Sequence, residues 1–492
     1  MRGLVPCLCG VFLALGHDVV SFGPFHGVIG LVIVMLVLRR AGPINMAVFG
    51  WLLGLGYFGW TLRWIVEPFL VDVARHGWMA PFAIVFMAGG LALFWAVAFW
   101  AARRMSPANP LVWLPVTFTA AELARGHVLS GFPWGLLPYT LIGGAGDVWL
   151  AWIGPYGTTA VMVAFAVALA FVASRHWLRA VGGVALVALL NFGLFVLTPR
   201  AFYTTGQTVR LVQPNAPQHQ KWDPAWMGTF FDRAVGQTAA GAPVDVVIWP
   251  ETSVPALLNN ADPWLAEMSR AARGAPVVAG IQRREGDDYF NSAVLIEAPD
   301  TLGDVVDKAQ LVPFGEYIPL ARFLGPLGLG TLVDQVAGFS PGTGDGLMQI
   351  EGLGLARVLI CYEGIFPEDM RGGGDMRPDI LLIITNDAWF GTGAGPRQHL
   401  AQAQARAIEQ GLPVVRAANT GISAVIDARG RIVDRLPLNS AGYLDAEVPA
   451  ALPVTLYARM GDWPLAVLLV VCIGASAARR RPIVVDATQR QR

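Results

Sequence analysis

In Val358-Leu-Ile-Cys-Tyr-Glu363 a short apolar run stops at a thiol, and the chain passes at once into aromatic and acidic residues. A β-branched run bounded by polar residues reads as a buried strand. A nucleophile on a tight turn at a strand end is presented with the following backbone amide, here that of Tyr362, aimed at the oxygen of the carbonyl it attacks. Cys361 is the lone cysteine of the polar middle of the chain, since Cys7, Cys9 and Cys472 lie in apolar runs. It therefore has no neighbour for an intradomain disulfide. A free cysteine is more commonly a small buried hydrophobe, so the surroundings decide.

Two further strand ends carry chemistry. Val246-Val-Ile-Trp-Pro-Glu-Thr252 is a buried strand that runs into a proline and then a carboxylate. Taken alone, such an acid is more often a surface residue or a helix-starting carboxylate. Asp307-Lys-Ala-Gln-Leu-Val-Pro-Phe-Gly-Glu-Tyr317 sets a lysine before an apolar stretch and a second acid beyond it. A lysine is usually solvated, but near a buried site its charge favours a thiolate and stabilises an oxyanion. Other short runs over 208–212, 276–281, 292–296, 380–385, 413–416 and 423–427 alternate with helical stretches over 226–238, 263–273 and 396–410. Strands alternating with helices predict an α/β domain.

The rest of the chain is not soluble in character. Hydrophobic residues make up 54% and charged residues 14% of 492, a balance too apolar for an ordinary soluble protein. Apolar stretches near 4–18, 25–38, 45–62, 79–101, 109–122, 151–173, 179–197 and 463–477 approach the roughly 20 residues that cross hydrocarbon, giving about eight expected spans. Arg39 and Arg40, Arg103 and Arg104, Arg175 and Arg179, and Arg479 to Arg481 fall in alternate connections. That pattern puts both termini in the cytoplasm and the polar middle on the opposite face. The first apolar run lacks a small-residue cleavage site and is expected to be retained. The division expected is a membrane domain over 1–199, a catalytic domain over 200–455, and a final helix with a basic tail over 456–492. Zero net charge and the absence of zinc-type spacings or a phosphate loop argue against nucleic acid and metal.

Glu251, Lys308 and Cys361 together supply a base, a cation and a thiol. With their local strings the chain resembles the carbon-nitrogen hydrolase (nitrilase) superfamily. With the flanking spans it resembles the bacterial apolipoprotein N-acyltransferase family over nearly its full length. The strings that carry this are Gly131-Phe-Pro-Trp134, Lys221-Trp-Asp223, Trp249-Pro-Glu251, Leu311-Val-Pro-Phe-Gly-Glu316, Ile360-Cys-Tyr-Glu363, Thr385-Asn-Asp-Ala-Trp-Phe-Gly391 and Gly461-Asp-Trp-Pro464. The string Gly364-Ile-Phe366 departs from the family pattern.

The resemblance implies a polytopic helical membrane domain joined to a four-layer αββα sandwich. It implies an acyl group passed from a phospholipid, such as phosphatidylethanolamine, through a thioester on Cys361 to the N-terminal amine of a diacylglyceryl cysteine on an apolipoprotein. No cofactor is implied, and a monomer in a bacterial inner membrane with a periplasmic catalytic domain is expected. Glu316, Tyr362, Glu363 and Trp222 carry over as supporting residues, with core packing the alternative for Trp222. Asn291 and Asn386 are expected mainly to brace backbone. Arg125 and Trp134 are expected near headgroup level, and the charge-poor stretch from Phe323 to Phe339 as a lid or a packed loop. Two rivals stand beside this reading: a membrane-tethered amidase in which water resolves the acyl-enzyme, and a receptor or transporter without catalysis.

Overall fold

A computed structural model describes the chain except residues 1–2, 19–22, 41–43, 173–176, 199–202, 298–300, 319–337, 372–375 and 479–492. The expected lid, Arg175 and the basic tail lie largely or wholly outside the described residues. The first part is helical: α1 (Leu4–Ala14), α2 (His26–Arg40), α3 (Met46–Thr61), the single turns α4 (Glu67–Leu70) and α5 (Val73–His76), α6 (Ala80–Met105), α7 (Leu114–His127), α8 (Trp149–Phe171) and α9 (Trp177–Leu197). Each expected apolar stretch is helical over most of its described residues. Among the described residues, four helical segments are long and apolar enough to cross a membrane: Gly23–Arg40, Val73–Met105, Trp149–Phe171 and Trp177–Leu197. Leu4–His17, Met46–Thr61 and Trp463–Ser476 are apolar but shorter, and α7 has 14 residues with Glu122 and Arg125 inside it. Helix α9 is apolar apart from Arg179 in its first turn and Asn191, with 6% of its window buried, as suits a helix surrounded by lipid.

The second part is a sandwich. Strands β1 (Thr204–Gln213), β2 (Val246–Ile248), β3 (Val277–Glu285), β4 (Asp288–Glu297), β5 (Thr301–Asp307), β6 (Leu347–Ile350), β7 (Gly354–Ile360), β8 (Ile380–Thr385), β9 (Val414–Ala418), β10 (Ala424–Ile426), β11 (Ile432–Arg435) and β12 (Gly442–Pro449) form two six-stranded sheets. Their orders are β12-β1-β2-β3-β4-β5 and β11-β10-β9-β8-β7-β6. In each sheet the central strands are parallel, β1 to β2 to β3 and β7 to β8 to β9.

Side-chain alternation explains the layering. Val246 and Ile248 point into the inter-sheet core with Val358, Ile360, Leu382 and Ile384. Val247 and Trp249 point the other way, against α10 (Met227–Ala239) and α11 (Asp262–Ala272). On the far face of the second sheet, Leu359, Leu381 and Ile383 meet α12 (Gly395–Gln410) through Leu400, Ala403 and Ala407. The result is the expected αββα order, followed by α13 (Leu456–Met460) and α14 (Trp463–Ala478). The helical half and the sandwich share one core: Tyr57, Trp95, Phe118 and Trp134 belong to the same packed cluster as Cys361, Tyr362, Ile365 and Phe366.

Candidate active site

The carboxyl ends of β2 and β7 and the residue after β5 bring Glu251, Cys361 and Lys308 into one buried site. Cys361 is 6%, Glu251 6% and Lys308 1% exposed. Cys361 stands at φ +54°, a left-handed conformation that costs a residue with a side chain roughly 1 to 3 kcal/mol and clusters at functional sites. The 3-10 turn Cys361–Ile365 begins there, so the thiol sits on the strand-to-helix turn read from the sequence.

Glu251 is fixed from several directions. Its Oε1 accepts from Asn291 Nδ2 at 2.7 Å and lies 3.7 Å from Lys308 Nζ. Its Oε2 accepts from the Asn386 amide at 2.8 Å, across the sandwich at the end of β8. A Cβ on Gly280 would lie 2.5 Å from Glu251 Cα, so only glycine lets β3 come this close beneath the turn. Asn291 therefore contacts the carboxylate itself, beyond the backbone bracing expected of it.

Lys308 donates to Glu316 Oε1 at 2.8 Å, and Glu316 Oε2 accepts from the Val312 amide at 2.8 Å. Burial works against the ammonium charge, but Glu316, then Glu251, outweigh it and raise the Lys308 pKa. Burial, followed by the Glu251 charge, raises the Cys361 thiol above its ordinary value, with Lys308 pulling the other way. The resting site is thus a neutral thiol beside a carboxylate and an ammonium. Such a thiol needs a base to become a nucleophile.

Glu363 ties the site together. Oε1 accepts from the amides of Ala309 at 2.8 Å and Gln310 at 3.1 Å, and Oε2 from that of Ile360 at 2.7 Å. The segment after Lys308 and the strand that carries Cys361 are thereby joined. Tyr362 is buried and packs edge-on against Phe366 with ring centroids 5.1 Å apart. Trp222 is 43% exposed at the rim, with Lys221 Nζ 5.6 Å from its ring centroid.

Lys221 stands in the string Lys221-Trp-Asp223, but sequence reasoning gave it no role in the site. It is buried, and its Nζ donates to the Glu251 carbonyl at 3.1 Å and to Thr252 Oγ1 at 2.7 Å. Burial brings its pKa down to about 8. Lys221 and Lys308 are the two lysines of a chain with 35 lysines and arginines, and both flank Glu251. That composition was a signal available in the sequence.

Arg125 and Trp134 are corrected. Neither is at a lipid-facing surface: Arg125 is 1% and Trp134 0% exposed. Arg125 forms a two-pronged pair with Glu122, at 3.0 and 2.8 Å. It also donates to the carbonyls of Phe132 and Trp134, holding the 131–134 loop. Trp134 Nε1 donates to Gln398 Oε1 at 2.7 Å, pinning that loop to α12. A charge inside an apolar helical bundle persists when paired, and Glu122, one turn before Arg125, supplies the pair. Among the described residues no cluster of His, Cys, Asp and Glu has the makings of a metal site.

Comparison with known proteins agrees with both halves. Residues 208–453 match the carbon-nitrogen hydrolase family, and residues 9–169 match the apolipoprotein N-acyltransferase N-terminal domain. An apolipoprotein N-acyltransferase from Caulobacter vibrioides is 38% identical, covering 96% of this chain and 94% of its own. One from Brucella melitensis is 35% identical, covering 97% and 95%. A solved amidase from Nesterenkonia sp. is similar with 19% identity and a TM-score of 0.38, over 55% of this chain and 98% of its own. Matched along almost its whole length, this membrane-embedded chain belongs to the apolipoprotein N-acyltransferase family.

Proposed function

We propose that the protein passes a fatty acyl chain from a phospholipid to the N-terminal amine of a diacylglyceryl cysteine on an apolipoprotein, through a thioester on Cys361. The observation that carries this reading is the buried set of Glu251, Lys308 and a left-handed Cys361 at neighbouring strand ends. Glu251 takes the thiol proton, and the thiolate attacks the ester carbonyl of the lipid. Charge builds on the carbonyl oxygen, where Lys308 and the Tyr362 amide stabilise it. The intermediate collapses, the lysophospholipid oxygen leaves with the proton from Glu251, and the thioester remains. The acceptor amine then attacks the thioester carbon and gives a proton to Glu251. The Cys361 sulfur leaves and takes that proton, so the thiol is restored with an amide formed. An amide is more stable than a thioester, so the second step runs downhill.

In this reading residues 1–199 and 456–492 anchor the enzyme and residues 200–455 carry the chemistry, as a monomer using phosphatidylethanolamine. The alternating arginine pairs support an inner-membrane location with the catalytic domain in the periplasm. Glu316 sets the charge of Lys308, Glu363 and Asn291 hold the reacting groups in place, and Trp222 borders the acceptor. The continuous core between helices and thiol supports a lipid donor over a soluble amide. The test is transfer itself: detergent-solubilised enzyme, phosphatidylethanolamine and a synthetic diacylated lipopeptide, read by the mass of the triacylated product. Triacylated peptide from wild type and none from Cys361→Ser is the expected result. Free fatty acid as the main product would replace the transferase by a hydrolase.

A further inference from the structure

His399, on α12, is buried at 1% exposure behind the nucleophile. Its Nε2 lies 3.3 Å from the main-chain carbonyl oxygen of Cys361. A carbonyl only accepts, so the nitrogen facing it carries a hydrogen. At the other side of the ring, Nδ1 is 2.9 Å from Asp387 Oδ1 and 3.1 Å from an Arg416 guanidinium nitrogen. One is an acceptor and the other a donor, so Nδ1 is served whether or not it holds a proton, and Nε2–H stands in both cases.

We infer that His399 is a positioning residue for the acyl-transfer nucleophile, whose Nε2–H holds the Cys361 carbonyl and so fixes how the thiol is presented. This rests on the reading of Cys361 as the nucleophile. Nothing in the sequence strings or the roles of Glu251 and Lys308 requires it, and the surroundings are built for it. Asp387 Oδ2 pairs with Arg416 at 2.6 Å, and Asp387 Oδ1 also accepts from Thr385 Oγ1 at 2.9 Å. Arg416 donates in turn to the Ile422 carbonyl at 2.6 Å. These bonds clamp the end of β8, the side chain of β9 and the loop after it onto one imidazole edge. A Cβ on Gly421 would lie 2.3 Å from Asp387, so the loop backbone closes directly over the acid. Trp134 lies against the imidazole at a tilt and Phe390 meets it in a T-shaped contact, with ring centroids 5.7 and 5.4 Å away. Trp134 comes from the helical half, so the ring is gripped by both halves of the chain while it holds the strained residue at φ +54°.

The ring is too constrained to swing toward substrate, and it touches the peptide carbonyl of Cys361. Its removal should therefore change the acylation rate and leave lipid binding alone. Two measurements test this on the full-length enzyme. In wild type labelled with 15N-histidine, the Nε2 of His399, assigned by loss of its signal in a His399 variant, should be protonated. An unprotonated Nε2 overturns the inference, whatever the variants do. The second is single-turnover acylation by phosphatidylethanolamine, comparing His399→Gln, whose amide nitrogen reaches the place of Nε2, with His399→Asn, whose amide reaches only that of Nδ1. The Asn variant should acylate about 100-fold more slowly, the scale of a misplaced reacting atom. Its half-saturating lipid concentration should move less than about threefold, and Gln should recover most of the rate. Equal rates for wild type, Gln and Asn overturn the inference. Wild type that forms no acyl adduct overturns the reading of Cys361 instead, an outcome distinct from either.

Discussion

Replacing Glu363 by glutamine tests the tie between the lysine segment and the nucleophile strand with almost no change in shape. Three backbone N–H groups converge on the carboxylate, two on Oε1 and one on Oε2. In Glu363→Gln one oxygen can still serve Ala309 and Gln310. The amide nitrogen must then face the Ile360 N–H, donor against donor. One charge-assisted bond is lost and one buried donor is orphaned, together roughly 2 to 5 kcal/mol. For a cooperative unit the size of the sandwich that corresponds to a fall of about 4 to 20 °C in Tm. Burial raises the Glu363 pKa while the three N–H groups lower it, yet no acceptor stands among these partners to take a carboxyl proton, so the ionised form is the one the site fits. The orphaned amide belongs to Ile360, next to Cys361, so acylation should slow on the order of 100-fold. Thermal unfolding in detergent and single-turnover acylation are the assays. A variant within about 0.5 kcal/mol of wild type that acylates at the normal rate would refute the tie.

Other expectations follow from the same geometry. Glu251→Gln removes a charge that raises the Cys361 pKa, so alkylation of Cys361 by iodoacetamide at fixed mildly alkaline pH should speed up, while acyl transfer drops at least about 100-fold; if both fall together, the electrostatic account is wrong. With 15N-lysine labelling the chain's two lysines should separate: Lys221 loses its charge as pH rises through about 8, whereas Lys308, held up by Glu316 and Glu251, stays charged to about pH 10. Two side chains titrating together would contradict the pairing. Gly280→Ala forces a methyl against the Glu251 backbone and should lower both Tm and acylation, an overpacking cost of about 1 to 3 kcal/mol; an unchanged rate would show that the turn has slack.

The strand ends were legible because burial and chemistry there lie within one string. Val246 to Ile248 are apolar and Glu251 follows, and Ile360 precedes Cys361 directly. Strands β5, β6, β11 and β12 were not foreseen, since edge strands such as Ile432–Arg435 are mostly exposed and polar and carry little hydrophobic pattern. The buried knot of Asp387, His399 and Arg416 was hidden for a different reason. Its members sit on three elements and meet only through tertiary packing, and no local spacing encodes that. Arg125 misled because a cation near a helix end suggests a headgroup, although Glu122 three residues earlier was a visible partner. The number of spans is less legible than their positions, because apolar composition marks a helix as buried in something, and in α3, which packs chiefly on α1 and α6, part of that something is protein.

If transfer runs through a thioester, Cys361 holds the acyl chain before any acceptor arrives. Intact mass of the enzyme incubated with phosphatidylethanolamine alone measures this directly. The expected result is a mass increase of one acyl group, released by neutral hydroxylamine as a thioester is, matched by one equivalent of lysophospholipid and absent in Cys361→Ala. Folded wild-type enzyme that yields triacylated lipopeptide without ever carrying that adduct would contradict it.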